Sequence, residues 1–90
     1  MEKSKMTVRK PTAEEMETSA QWGTWSKSPS IFDWQYAEKE TCYILEGEAE
    51  VSDREGNHVK FGPGDFVVFE EGLDCTWKIK QTIRKKYRFG

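Results

Sequence analysis

Histidine is nearly missing from this chain: His58 is the single one among 90 residues. Imidazole is the commonest metal ligand and the usual general base near neutral pH. A histidine-cluster metal centre is therefore excluded, and a Cys–His catalyst would have to rely on His58. That residue sits beside a hairpin turn and is expected at the surface. Cysteine is scarce as well. Cys42 and Cys75 are too far apart for a short-spaced zinc motif, and two are too few for a disulfide scaffold. Long apolar runs are missing too: none approaches the roughly 18 residues of a membrane helix, and no charged-then-apolar leader opens the sequence. Positive charge is not in excess, since 14 basic and 16 acidic side chains give a net charge of -2. That balance provides no broad basic field for nucleic acid. Gly62-Pro63-Gly64 is followed by no Lys-Ser/Thr, so it is not a phosphate loop, and no cofactor motif is found elsewhere. A protein without nucleic-acid or membrane partners is expected, from a reducing, cytoplasmic setting. A plastid setting would require a transit segment ahead of this sequence.

Aromatic residues are what the chain does have, with four Trp, three Tyr and five Phe. Each can bury about 150–250 Å², which matters because a domain this small buries only roughly 60–65% of its unfolded surface. Charged residues make up 33% of the chain, so apolar side chains must be gathered on internal faces. One domain over residues 1–90 is expected: an N-terminal arm and helix over 1–21, then a β-barrel over 22–89.

The local patterns support this division. A first strand is expected near residues 6–8. Thr12 followed by Glu15 is a capping box and predicts a short helix over 13–19. After residue 22, short β-branched and aromatic segments alternate with turn signals. Segments 41–45 and 48–53 flank Gly47. Ala49 and Val51 share one face of the latter, and Glu48, Glu50 and Ser52 the other. Segment 66–69 is wholly apolar, so both its faces should be covered. Cys75, Trp77 and Ile79 fall together in 74–80, and Ile83, Lys85, Tyr87 and Phe89 together in 83–89. The basic stretch Arg84-Lys85-Lys86-Tyr87-Arg88 reads as the solvated face of a last strand answering Glu46, Glu48 and Glu50. Seven to nine short strands at intervals of roughly 8–12 residues predict an antiparallel barrel or sandwich.

Two spaced motifs narrow the choice. Trp34-Gln35-Tyr36 precedes Glu40, which precedes Gly47; further on come Gly64, Glu70, Gly72 and Cys75. The spacing resembles the two cupin motifs, His-x-His…Glu…Gly and Gly…Pro-x-Gly…His. Trp34, Tyr36 and Cys75 stand at the histidine positions, and Glu70 at the proline. With Phe32-Asp33-Trp34, the run from Glu40 to Gly47, Gly64-Asp65 and Cys75-Thr76-Trp77, the chain resembles the short single-domain cupins. Within them it is similar to the ureidoglycine aminohydrolase cupin domain and the ethanolamine-utilisation cupin. The resemblance implies an all-β cupin jelly roll with one short N-terminal helix, often dimeric through edge strands or exchanged N-terminal segments. It also implies that the motif positions point inward. It does not bring the aminohydrolase activity, because the ligands of that enzyme's manganese site are not reproduced.

The expected site follows from that carry-over. Trp34, Tyr36, Glu40 and Cys75 should converge inside the barrel, with Cys42 and Trp77 lining the same interior. A lone carboxylate in an apolar barrel costs several kcal/mol unless paired or protonated. Tyr36, an indole N–H, a nearby Arg or Lys, water or a ligand must therefore satisfy Glu40. Glu40 would be the acid–base group if burial raised its pKa toward 7. Cys75 would be a nucleophile only beside a base or cation. No metal is expected from a set with one surviving ligand type. Three readings stay open: binding of a small polar metabolite, nitrogen-containing by the resemblance, with acid–base catalysis by Glu40; a non-catalytic binding or assembly module acting through its surface or a homodimer; and a metal-dependent enzyme with an atypical Glu/Cys site. The aromatic and cysteine side chains also fit a fourth, structural role, as packing that fills a small barrel.

Overall fold

Residues 5–90 are described by a computed structural model. In chain order the elements are β1 (Met6–Arg9), α1 (Ala13–Ser19), β2 (Gly23–Lys27), β3 (Ser30–Gln35), β4 (Glu40–Asp53), β5 (His58–Phe61), β6 (Phe66–Phe69) and β7 (Asp74–Phe89). The helix begins where the capping box predicts. Thr12 Oγ1 accepts from the Glu15 N–H, and a Glu15 carboxylate oxygen accepts from the Thr12 N–H. Two backbone donors at the helix start are thereby satisfied.

Two long bent strands hold everything else in place. The first part of β4 lies between β6 and the end of β7, and its last part lies between β5 and the start of β7. β2 continues the first sheet beyond β7, while β3 continues the second. All pairings are antiparallel, and β1 closes the list on β6. The result is a pair of sheets, β1-β6-β4-β7-β2 and β5-β4-β7-β3, that share β4 and β7. This is the jelly-roll class, with one correction to the expected barrel: the sheet stays open, and β2 and β3 lie along one of its free edges. The strands expected over 41–45 and 48–53 are one strand, as are those over 74–80 and 83–89.

Gly47 explains how one strand can serve two sheets. Register shifts cluster between Ile44 and Ala49, and Gly47 has φ 94°. A Cβ there would stand 2.2 Å from the Thr82 carbonyl oxygen. Glycine alone permits both the left-handed backbone and the close approach of the two bent strands.

The core collects the inward faces expected from alternation. Ala49 and Val51 of β4, Cys75, Trp77 and Ile79 of β7, and Val67 and Phe69 of β6 are all buried. Trp77 is the hub, stacked 6.0 Å from Phe32 and tilted or edge-on to Trp25, Phe61 and Phe69. Among the described residues, every buried side-chain nitrogen and oxygen has a hydrogen-bond partner.

Candidate functional site

A cavity of about 190 Å³ opens between β2, β3 and the inner faces of β4 and β7. Its walls are aromatic: Trp25, Phe32, Trp34, Tyr36, Trp77, Tyr87 and Phe89. Its charged lining is one pair of opposite sign, Glu40 and Lys85. Strand alternation places each of them. Phe32 and Trp34 share the inner face of β3, and Lys85, Tyr87 and Phe89 that of β7. Tyr36 follows β3, where its N–H donates to the Leu73 carbonyl and its own carbonyl accepts from Gly72.

The pair lies at the bottom of this space. Glu40 is 3% exposed and Lys85 4%. Lys85 Nζ donates to Glu40 Oε2 at 2.8 Å, and the Tyr36 hydroxyl donates to Glu40 Oε1 at 2.7 Å. The same ammonium lies 4.6 Å from the ring centroids of both Trp25 and Trp77. Charge-assisted hydrogen bonds and two electron-rich ring faces thus replace the water that burial removes. Burial first, and then the Glu40 charge, holds the Tyr36 phenol well above its ordinary range. Tyr36 therefore stays a donor to Glu40 and is not available as a phenolate ligand.

The predicted site residues separate into three groups. Tyr36, Glu40 and Trp77 line the cavity. Trp34 also lines it, but at the mouth, 48% exposed beside the 43% exposed Phe89. It does not plug the interior, because edge strand β3 leaves its outer ring uncovered. The correction concerns Cys42 and Cys75, neither of which lines the cavity. Both thiols are short and covered, and each donates to a main-chain carbonyl: Cys42 to Val67 at 3.6 Å, Cys75 to Trp34 at 3.4 Å. Burial pushes Cys42 up to about 12 and Cys75 up to about 11, the opposite of an activated nucleophile. Two further corrections follow. Glu40 is not a lone acid, and Lys85 does not belong to a solvated face. The alternation of Ile83, Lys85, Tyr87 and Phe89 carried the signal; the basic run around Lys85 obscured it. Arg84, pointing the other way, does answer Glu46 at 2.6 Å as expected of a surface pair. His58 is exposed at the start of β5.

The residues present do not fit the metal that cupin folds commonly carry. Both Glu40 oxygens already accept hydrogen bonds, and the nearest thiols turn toward carbonyls. Among the described residues, no group of three or more His, Cys, Asp or Glu side chains is placed to hold an ion. No helix among them is long and apolar enough to cross a membrane.

Comparison with known proteins agrees with this architecture. The model of a EutQ-like cupin domain matches residues 14–87. A DUF861 family protein from Thermotoga maritima is 40% identical, with a TM-score of 0.90 over 94% of this chain and 99% of that one. A protein of the same DUF861 family from Pseudomonas syringae is 25% identical, with a TM-score of 0.69, and pairs 76% of this chain with 29% of that one. A putative ethanolamine utilization protein Q from Salmonella typhimurium shares the fold at 20% identity and a TM-score of 0.68, over 93% of this chain and 68% of that one. No curated protein matches. The chain belongs to the EutQ-like cupin family.

Proposed function

We propose that this cupin binds a small, polar, planar metabolite in the aromatic cavity and orients it on the Glu40–Lys85 pair. The observation that carries this reading is a charged pair held at the bottom of an otherwise aromatic pocket. Buried ion pairs add little to stability over apolar packing of similar volume. Structural economy alone therefore does not account for this one. The cavity is smaller than the roughly 300–1,000 Å³ of drug-sized sites, so the ligand is small. Ring faces favour a flat molecule. The carboxylate favours an N–H donor, and the ammonium favours a carbonyl oxygen. Amides and ureides combine these three features and meet the expectation of a nitrogen-containing metabolite. In this arrangement Tyr36 holds the Glu40 carboxylate in place, and Glu40 is the group positioned to take or return a proton.

Calorimetric titration with a panel of small amides and ureides tests the reading. Glu40→Gln should weaken binding at least tenfold, about 1.4 kcal/mol. Equal binding by both proteins, or by neither, would remove the cavity as the functional site.

A second reading draws on a separate observation. The uncovered β2–β3 edge carries exposed Ile31 and Trp34, and open edges with apolar side chains favour pairing with another chain. A homodimer through this edge would appear by light scattering and would be lost in Ile31→Lys. A wild-type monomer at high concentration would exclude it.

A further inference from the structure

Among the described residues, Lys85 differs from the surface lysines in what surrounds its nitrogen. Its side chain is 5% exposed, against 74% for Lys10 and 64% for Lys60. Among the described residues, a carboxylate and two indole faces compensate its charge, and its Nζ borders the cavity. A proton acceptor thus stands 2.8 Å from a buried amine that a cavity ligand can reach. Desolvated lysines with a neighbouring base are the amines that form covalent adducts with carbonyl compounds.

We propose that Lys85 captures small aldehydes or ketones as a protonated imine, with Glu40 carrying the proton. This rests on the cavity being a ligand site, and it places the carbonyl carbon of an aldehyde or ketone at Lys85 Nζ. The steps balance without any further reagent. Glu40 Oε2 accepts a proton from the ammonium, leaving a free amine and a carboxylic acid. The amine lone pair forms the N–C bond, and the carbonyl π pair moves onto oxygen. A proton then passes from nitrogen to that oxygen, giving the carbinolamine. The nitrogen lone pair forms C=N, the C–O bond breaks, and the hydroxyl leaves as water with the Glu40 proton. An iminium cation and a carboxylate remain. The product carries the same positive charge at the same nitrogen, so the Glu40 carboxylate and the faces of Trp25 and Trp77 hold it as they held the ammonium. Tyr36 is a positioning residue: its hydroxyl fixes Oε1 and leaves Oε2 to serve Lys85.

Reductive trapping tests this directly. The whole protein is incubated with pyruvate or propanal and cyanoborohydride, and the adduct is located by peptide mapping. Labelling should fall on Lys85 at least about tenfold faster than on Lys10 or Lys60. Lys85→Arg should lose it, and Glu40→Gln should slow it by about 100-fold, the lower end of general acid–base contributions. Label confined to surface lysines, or an undiminished rate in Glu40→Gln, overturns the proposal. The map of the wild-type protein decides the matter even if Lys85→Arg fails to fold. Acetamide and methylurea, followed through the indole N–H resonances of Trp25 and Trp77, separate this proposal from the one it rests on. Shifted resonances without labelling at Lys85 would keep the cavity and discard the imine. Unshifted resonances without labelling would discard both.

Discussion

At the scale of single residues, the centre of this protein is a carboxylate and an ammonium that need one another. Removing one partner of a buried pair leaves the other charge without compensation, which costs about 3–5 kcal/mol. Lys85→Met should therefore destabilise the protein by about that much, while the double change Glu40→Gln, Lys85→Met should recover most of it. Urea unfolding of the four proteins measures the coupling. Additive effects would mean that the two side chains do not act as a pair. Part of this centre was legible in the sequence. The resemblance to the cupin motifs implied that Tyr36 and Glu40 face inward, and the need to satisfy Glu40 named a nearby Lys among its possible partners. The partner itself was hidden, because Lys85 stands among Arg84, Lys86 and Arg88 and local charge suggested a wet surface. Strand alternation, which groups Lys85 with Ile83 and Tyr87, was the better guide. Trp25 was missed for a different reason: its place in the cavity depends on how β2 and the end of β7 meet, and spacing along the chain does not encode that.

At the scale of elements, two local devices have measurable consequences. The first is the bend of β4. Gly47→Ala must place a side chain at positive φ and against the Thr82 carbonyl, so a loss of about 3 kcal/mol is expected in thermal unfolding. A loss under about 1 kcal/mol would show that the bend relaxes freely. The second is the start of α1. Bidentate contact with Arg9, then the Thr12 N–H, holds the Glu15 carboxyl down to about 2. A folded-state pKa below the unfolded one means that the folded protein binds fewer protons. Its stabilisation is complete above about pH 4.5 and disappears as pH falls through about 2. Thermal unfolding of wild type and Glu15→Gln should therefore differ near neutrality and converge in that acid window. A constant difference across the window would contradict the assignment. The helix was plain in the sequence, since a capping box is local. The fusion of four expected strands into two was not, because the chain continues through Gly47 and around residues 80–83 only where two sheets meet.

At the scale of the whole molecule, β4 and β7 belong to both sheets, so neither sheet can open while the other stays intact. The thiols report this. Cys42 and Cys75 are fully covered and their pKa values are raised to about 12 and about 11. Both should resist a thiol reagent near pH 8 and react together, at a rate set by global unfolding. Fast reaction of one thiol alone in the folded protein would show that the sheets open separately.

Three of the four tryptophans, Trp25, Trp34 and Trp77, border the cavity, while Trp22 packs elsewhere against Phe66. The pocket is consequently its own optical gauge. Any guest that enters must change the polarity around most of the chain's indoles, so unlabelled emission spectra can screen for the metabolite before its identity is known.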